Sequence, residues 1–287
     1  MSVVALRFNE GNQQAAAALS GVRSRGGVSI AFKHEADTTR LADLHEVGGF
    51  RAKLPRTHGL TEAVLINTGG GLLGGDAVRF DVGVEQSAAA QVTTQSAERV
   101  YRSLGPDCRI DIALNVARGA RLHWLPQETI LFNEARLART ITADMAADAT
   151  LLMVEATVFG RAAMAETVTA GNLRDVWRVS RAGSLVYADT IRLDGDIQAA
   201  LARPAVGAGA IAMATVLYVA PDAVDRLDGA RAALAEAAGR AAVSAWNGQL
   251  VGRLLAPSAD ALKTDIARLA TYLSGFALPR VWGMIAP

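Results

Sequence analysis

The densest cluster of residues that could do chemistry is Asn67-Thr68-Gly69-Gly70-Gly71-Leu72-Leu73-Gly74-Gly75-Asp76. Gly69, Gly71 and Gly74 satisfy G-x-G-x-x-G, the spacing of a dinucleotide-binding turn. Such a turn must open a helix, because the helix N-terminus holds the pyrophosphate. Ala77 to Gln86 instead has a strand pattern, so the context for that chemistry fails. A Walker loop fails too, because Gly75-Asp76 stands where Lys-Ser/Thr belongs. The segment is expected to be a tight turn between two strands, with glycines serving positive φ or close backbone approach. Asp76 is expected to cap that turn, with the lining of a polar passage as its alternative role.

Three further segments carry polar groups. Thr93 to Arg102 (TTQSAERVYR) is either a hydrogen-bonded β-layer or a charged interaction surface. In Leu122 to Phe132 (LHWLPQETILF), Pro126 ends a strand or marks an edge. Glu128 sits there among apolar residues, as a turn residue or a partly buried acid. His123 reads as a satisfied structural histidine rather than a metal ligand. In Val154 to Glu166 (VEATVFGRAAMAE), Glu155 interrupts an apolar strand. A buried carboxylate needs a partner, and Arg161 is near in sequence. A structural Glu155–Arg161 pair is expected; Glu155 or Glu166 on an ion path is the functional alternative. Leu278-Pro279-Arg280-Val281-Trp282 reads as a packing anchor.

No catalytic set assembles from these residues. The sequence has no G-x-S-x-G elbow and no H-E-x-x-H. His34, His45, His58 and His123 are scattered. Cys108 is the one cysteine, which excludes an internal disulfide and a CxxC zinc cluster. It stands between Asp107 and Arg109, but nothing names it a nucleophile, so an inert thiol is expected. A non-enzyme is favoured.

Strands must position these groups. Ile110, Ile112, Leu114 and Val116 alternate with Arg109, Asp111, Ala113 and Asn115, a half-buried strand. Further strands are expected at 28–33, 64–67, 78–84, 91–94, 122–125, 140–143, 151–158, 175–180, 185–193 and 211–219. So many short strands without intervening helices predict a mainly β fold of antiparallel or layered sheets. Two helices are expected late in the chain. Asp222 would cap the first, which Gly239 would stop. Ser258 would cap the second, which carries the apolar stripe Leu262, Ile266, Leu269, Leu273 and Phe276, with Gly275 as its stop. Residues 1–26 read as a loosely ordered N-terminal segment of a single domain spanning 1–287.

Composition narrows the class. The 287 residues are 51% hydrophobic and 20% charged, which excludes a disordered chain. That apolar content suggests an obligate partner. A net charge of +1 is too small for a protein held to nucleic acid by its field. The longest uncharged stretch, 205–220, is shorter than a membrane span. No signal peptide fits the N-terminus, and a soluble, cytoplasmic protein is expected.

Taken in order, Asn67 to Asp76, Thr93 to Ser103, Trp124 to Phe132, Glu155 to Glu166 and Pro279-Arg280-Val281-Trp282 resemble the UreD (UreH) family of urease accessory proteins. The resemblance runs from about Gly49 to the C-terminus, with one departure, Ala165 where glycine is expected. It implies a twisted, β-helix-like arrangement of layered sheets with two α-helices. It also implies a non-catalytic maturation scaffold, or chaperone, that joins a UreF-like protein and a UreG-like GTPase and docks on the urease apoprotein. No tightly bound cofactor is implied, only transient Ni²⁺ passing through an internal channel. A conduit must bind weakly, so scattered carboxylates suit it. Asp76, Glu128, Glu155 and Glu166 are the candidate lining groups, with Arg161 as an orienting partner. Two other readings differ in class: a nucleotide-dependent oxidoreductase resting on the glycine loop, and a stand-alone β binding module.

Overall fold

The computed structural model describes residues 24–56, 59–103, 105–161, 164 and 166–283. His58, Ala165 and most of the N-terminal segment lie outside them. The last residues of that segment, from Arg25, already belong to a strand.

The described residues build two sheets. The first has seven strands, in the order β14 (Ser184–Gly195), β13 (Gly171–Arg181), β11 (Arg136–Met145), β8 (Cys108–Val116), β5 (Ala77–Val84), β1 (Arg25–Glu35) and β2 (Thr38–Val47). The second is ten-stranded. Its main path is β16 (Arg240–Trp246), β17 (Gln249–Ala256), β15 (Ala212–Val219), β12 (Thr150–Phe159), β9 (Arg121–Trp124), β6 (Ala89–Thr94), β4 (Thr61–Asn67) and β3 (Phe50–Lys53). Short strands β7 (Glu98–Val100) and β10 (Thr129–Leu131) pair beside it.

The central strands are parallel: β1–β5–β8–β11–β13 in one sheet and β4–β6–β9–β12 in the other. Parallel neighbours need a crossover between them. Here the crossover is a strand of the opposite sheet, because the chain alternates between layers from β4 to β13. The result is a β-solenoid-like stack of rungs. This refines the sequence expectation, in which alternation showed strands but not their direction.

The apolar pattern explains the layering. On β8, Ile110, Ile112, Leu114 and Val116 are buried while Arg109 and Asp111 face solvent. They meet inward residues of the second sheet such as Leu122 and Trp124 in the main core. β12 is buried along its whole length, because the second sheet is covered on both faces. Its outer side packs Leu152, Val154, Val216 and Tyr218 against Ile266, Leu269 and Leu273 in a second core.

Three α-helices are present among the described residues. α1 (Ile197–Ala202) is capped by Asp196, whose side chain accepts from the Ala199 N–H. It escaped the sequence reading because six residues with two buried, Ile197 and Leu201, give little periodicity. α2 (Leu227–Ala233) starts later than expected and has no side-chain cap. Asp222 is held away by the Tyr218 hydroxyl and Arg226, which both donate to it. α3 (Ala259–Ser274) has the expected ends: Ser258 accepts from Ala261 N–H, and Gly275 closes the helix at φ 67°. No helix among the described residues is long and apolar enough to cross a membrane.

Candidate functional site

Strand parity decides which polar groups enter the space between the sheets. Leu137, Arg139 and Ile141 share the inward face of β11, as Leu173, Asp175 and Trp177 do on β13, and Met153 and Glu155 on β12. Register then places Arg139 beside Asp175. The guanidinium donates from Nε to Asp175 Oδ1 at 3.1 Å and from Nη2 to Oδ2. Its Nη1 donates to Glu155 Oε2 across the layers, and to Thr129 Oγ1 at 3.4 Å. Two indoles complete the network. Trp124 Nε1 donates to Glu155 Oε1 at 2.8 Å, and Trp177 Nε1 to Asp175 Oδ1 at 3.1 Å. Arg139, Glu155 and Asp175 are 3%, 5% and 3% exposed. Burial pushes the Glu155 carboxyl up; Arg139 opposes that shift and Asp175 adds to it.

Two cavities meet at this network. One, of about 100 Å³, is bounded by Asn67, Gly71, Glu98, Trp124, Arg139 and Glu155. The other, of about 350 Å³, is bounded by Arg139, Glu155, Asp175, Arg192, Thr215 and Arg253. Arg139 and Glu155 are therefore a shared wall. At the far side of the first cavity, Asn67 Nδ2 donates to both oxygens of Glu98, each at 3.1 Å. Burial still pushes the Glu98 carboxyl up to about 7.

The glycine loop closes that side. A Cβ on Gly71 would fall 2.4 Å from the Tyr101 ring, and one on Gly74 1.9 Å from Ser103 Oγ. Close approach is thus what these glycines permit. Asp76 is 4% exposed and accepts from Ser24 N–H and Leu73 N–H, both at 2.8 Å. It caps the loop and lines neither of the two cavities. β5 follows directly at Ala77, so the helix that the oxidoreductase reading needs is absent.

The four carboxylates named from sequence are dispersed. Glu155 alone borders the two meeting cavities. Glu128 is half-buried, and its backbone carbonyl accepts from Glu98 N–H. Glu166 borders a third cavity of about 430 Å³ beside Phe159, which shares Leu201 with the second cavity but neither Arg139 nor Glu155. The expected Glu155–Arg161 pair is corrected: Arg161 binds Glu166 at 2.8 and 3.1 Å and lies over the Phe132 ring. Glu155 points inward from mid-strand, whereas Arg161 follows the strand's end.

His123 is also a correction. It faces the helices, fully buried, and neither ring nitrogen has a partner among the described residues. Burial and nearby Arg121 lower it to about 3, so the imidazole is neutral. Cys108 is buried, and its thiol is pushed up to about 12, which leaves it protonated. No group of three or more His, Cys, Asp or Glu side chains suited to a metal occurs among the described residues. The sequence reading missed Arg139 and Asp175 and did not single out Glu98. For Arg139 and Asp175 the available signal was a lone charge on the otherwise apolar inward face of a strand.

The family model described as UreD urease accessory protein matches residues 24–283. A Urease accessory protein UreD of Methylobacterium sp. (strain 4-46) is 51% identical over 270 residues, covering 91% of this chain and 95% of that protein. One from Azorhizobium caulinodans is 46% identical over 263 residues, covering 91% and 97%. One from Rhodopseudomonas palustris (strain HaA2) is 44% identical over 274 residues, covering 93% and 95%. With its glycine loop, buried Glu155 and C-terminal anchor set in this layered fold, the chain belongs to the UreD family of urease accessory proteins.

Proposed function

We propose that this chain is a non-catalytic scaffold of urease maturation, and that Ni²⁺ bound for the enzyme passes between its two sheets as cargo. Family membership supports the accessory role. The observation that carries the route is the pair of cavities meeting at Arg139 and Glu155. Oxygen donors stand along it: Glu98 at one side, Thr129 and Glu155 at the wall, then Asp175 and Thr215. Carboxylate, carbonyl and hydroxyl oxygens can hold Ni²⁺ briefly. A spaced series of weak donors releases an ion that a full ligand cage would trap.

Of the four carboxylates named from sequence, Glu155 keeps the role of path residue. Asp76 shapes the loop at one end, and Glu166 with Arg161 fixes the turn after β12. Glu128 acts through its backbone, beside Glu98. The partners in this reading are a UreF-like protein, a UreG-like GTPase that hydrolyses the GTP, and the urease apoprotein, all in the cytoplasm. Nucleic acid and membrane are not partners, and no cofactor is resident.

The test is co-purification with UreF and UreG homologues, scored together with nickel-dependent activation of apo-urease. Deleting this chain is expected to abolish both. E98Q/E155Q is expected to assemble and to activate poorly. Assembly and activation that survive deletion sink the scaffold; full activation by an assembled E98Q/E155Q complex sinks only the route.

A further inference from the structure

Among the described residues the main paths of the two sheets leave four edges, the outer side of β7 being covered by Leu72, and three of the four carry devices that discourage a further strand. β2 presents Arg40, Asp43 and Glu46, and its pairing with β1 is broken by a register shift at Ala31/Phe32. β14 presents Asp189, Arg192 and Asp194, with a shift at Val179/Ser180 in its pairing. β3 is four residues long and carries Arg51 and Lys53. Charge, shortness and irregularity are the usual protections of a free edge. β16, Arg240-Ala-Ala-Val-Ser-Ala-Trp246, has one charge at its start, no proline and an unbroken register with β17.

Its free hydrogen-bonding groups follow from the hairpin. Asn247 and Gly248 have φ 48° and 74°, a two-residue turn of the type that closes tight hairpins. The flanking pair Trp246–Gln249 is then hydrogen-bonded, and so are alternate pairs along β16. The N–H and C=O groups of Ala241, Val243 and Ala245 point away from β17. No described residue bonds to them.

We propose that β16 is a self-association edge, pairing antiparallel with β16 of a second copy about a two-fold axis at Val243. The sequence is self-complementary in that register. Arg240 falls opposite Trp246 of the second copy, and Ala242 opposite Ser244. These are the non-hydrogen-bonded positions, where side chains approach most closely. The guanidinium gains an indole face, and the small residues between them impose no bulk. All four side chains are exposed in the single chain, and Trp246 is 43% exposed. Ala241, Val243 and Ala245 face the helices, with Val243 6% exposed, so pairing leaves that packing undisturbed. The contact is isologous, as closed dimers require.

The test uses the full chain. Sedimentation over a range of concentrations is expected to show a reversible monomer–dimer equilibrium. A245P, which removes one outward N–H at an edge position that tolerates proline, is expected to shift it to monomer. A242K/S244K sets lysine opposite lysine on exposed positions and is expected to do the same without loss of fold. Register is read by oxidising A242C mixed with tagged S244C. A mixed disulfide is expected, and none from either variant alone, since Cys108 is buried. A chain that stays monomeric overturns the proposal. So does a dimer that survives both A245P and A242K/S244K, or one that forms disulfides without regard to register.

Discussion

Arg139 on β11 and Glu155 on β12 join the two sheets through one guanidinium–carboxylate contact, made where both side chains are almost fully buried. Asp175 holds the other side of the same guanidinium. The pair is therefore both a structural clasp and the wall between the two cavities.

Breaking that clasp from the cation side leaves two carboxylates buried together. Arg139→Met is expected to cost about 3–5 kcal/mol, the range for removing one partner of a buried ion pair. Glu155→Gln keeps the Arg139–Asp175 pair and the Trp124 hydrogen bond, so it is expected to cost less. Urea denaturation of both variants checks the order. Equal losses would mean that Glu155 and Asp175 share the guanidinium's binding unequally.

Glu98 is expected to make stability pH-dependent. Its folded-state value, about 7, lies above the ordinary 4.5. Folding therefore favours the protonated acid. Its contribution is full below the unfolded value and is lost as pH rises through 7. Glu98→Gln should remove this slope and stabilise the protein above pH 7 by about 1–2 kcal/mol, after allowance for solvent screening at a half-buried group. Denaturation at pH 5 and pH 8 measures it; an unchanged slope in the variant would place the titration elsewhere.

His123 predicts the opposite sign. Its folded value is lowered from 6.5 to about 3. The stability held by the neutral ring is present above 6.5 and is lost as pH falls towards 3. His123→Leu removes two unpartnered polar atoms and is expected to stabilise by about 1–3 kcal/mol. It should also lessen acid sensitivity. Thermal melts from pH 7 to pH 4 provide the check, and destabilisation at pH 7 would refute it.

Gly71→Ala tests the loop. The new Cβ would overlap the Tyr101 ring, itself packed edge-on against Phe132 at 4.9 Å. Displacing that ring is expected to cost about 1–3 kcal/mol. Gly70→Ala meets no atom within 4 Å, yet sits at φ 75°, so it isolates backbone strain from the clash. Gly71 also has a positive φ, 152°, and its Cβ would lie 2.9 Å from the Arg99 carbonyl oxygen, so the loss in midpoint beyond that of Gly70→Ala measures the clash.

Much of the architecture was legible in local pattern. Alternation on β8 gave its buried face, and Ser258 with Gly275 bounded α3. What local pattern could not give was pairing direction, because a parallel and an antiparallel strand share the same period of two. The candidate site suffered from the same limit. Glu155 stood out as a charge in an apolar run, but its partner lay in the other sheet, 16 residues away in sequence. Proximity in the chain suggested Arg161 instead. Asp76 was legible in both of its possible roles, and only the N–H groups of Ser24 and Leu73 decide for the cap.

The alternating winding of the chain has a mechanical consequence. Each rung touches chiefly the rungs on either side, so the stack behaves as a one-dimensional array whose cooperativity is passed from neighbour to neighbour. Disturbance at an end rung frays that end and stops. The β11–β12 rung is different, because it lies inside the stack with rungs on both sides. Loosening the protein at Arg139 uncouples two halves that otherwise melt as one, so the same side chain that divides the interior space unites the fold.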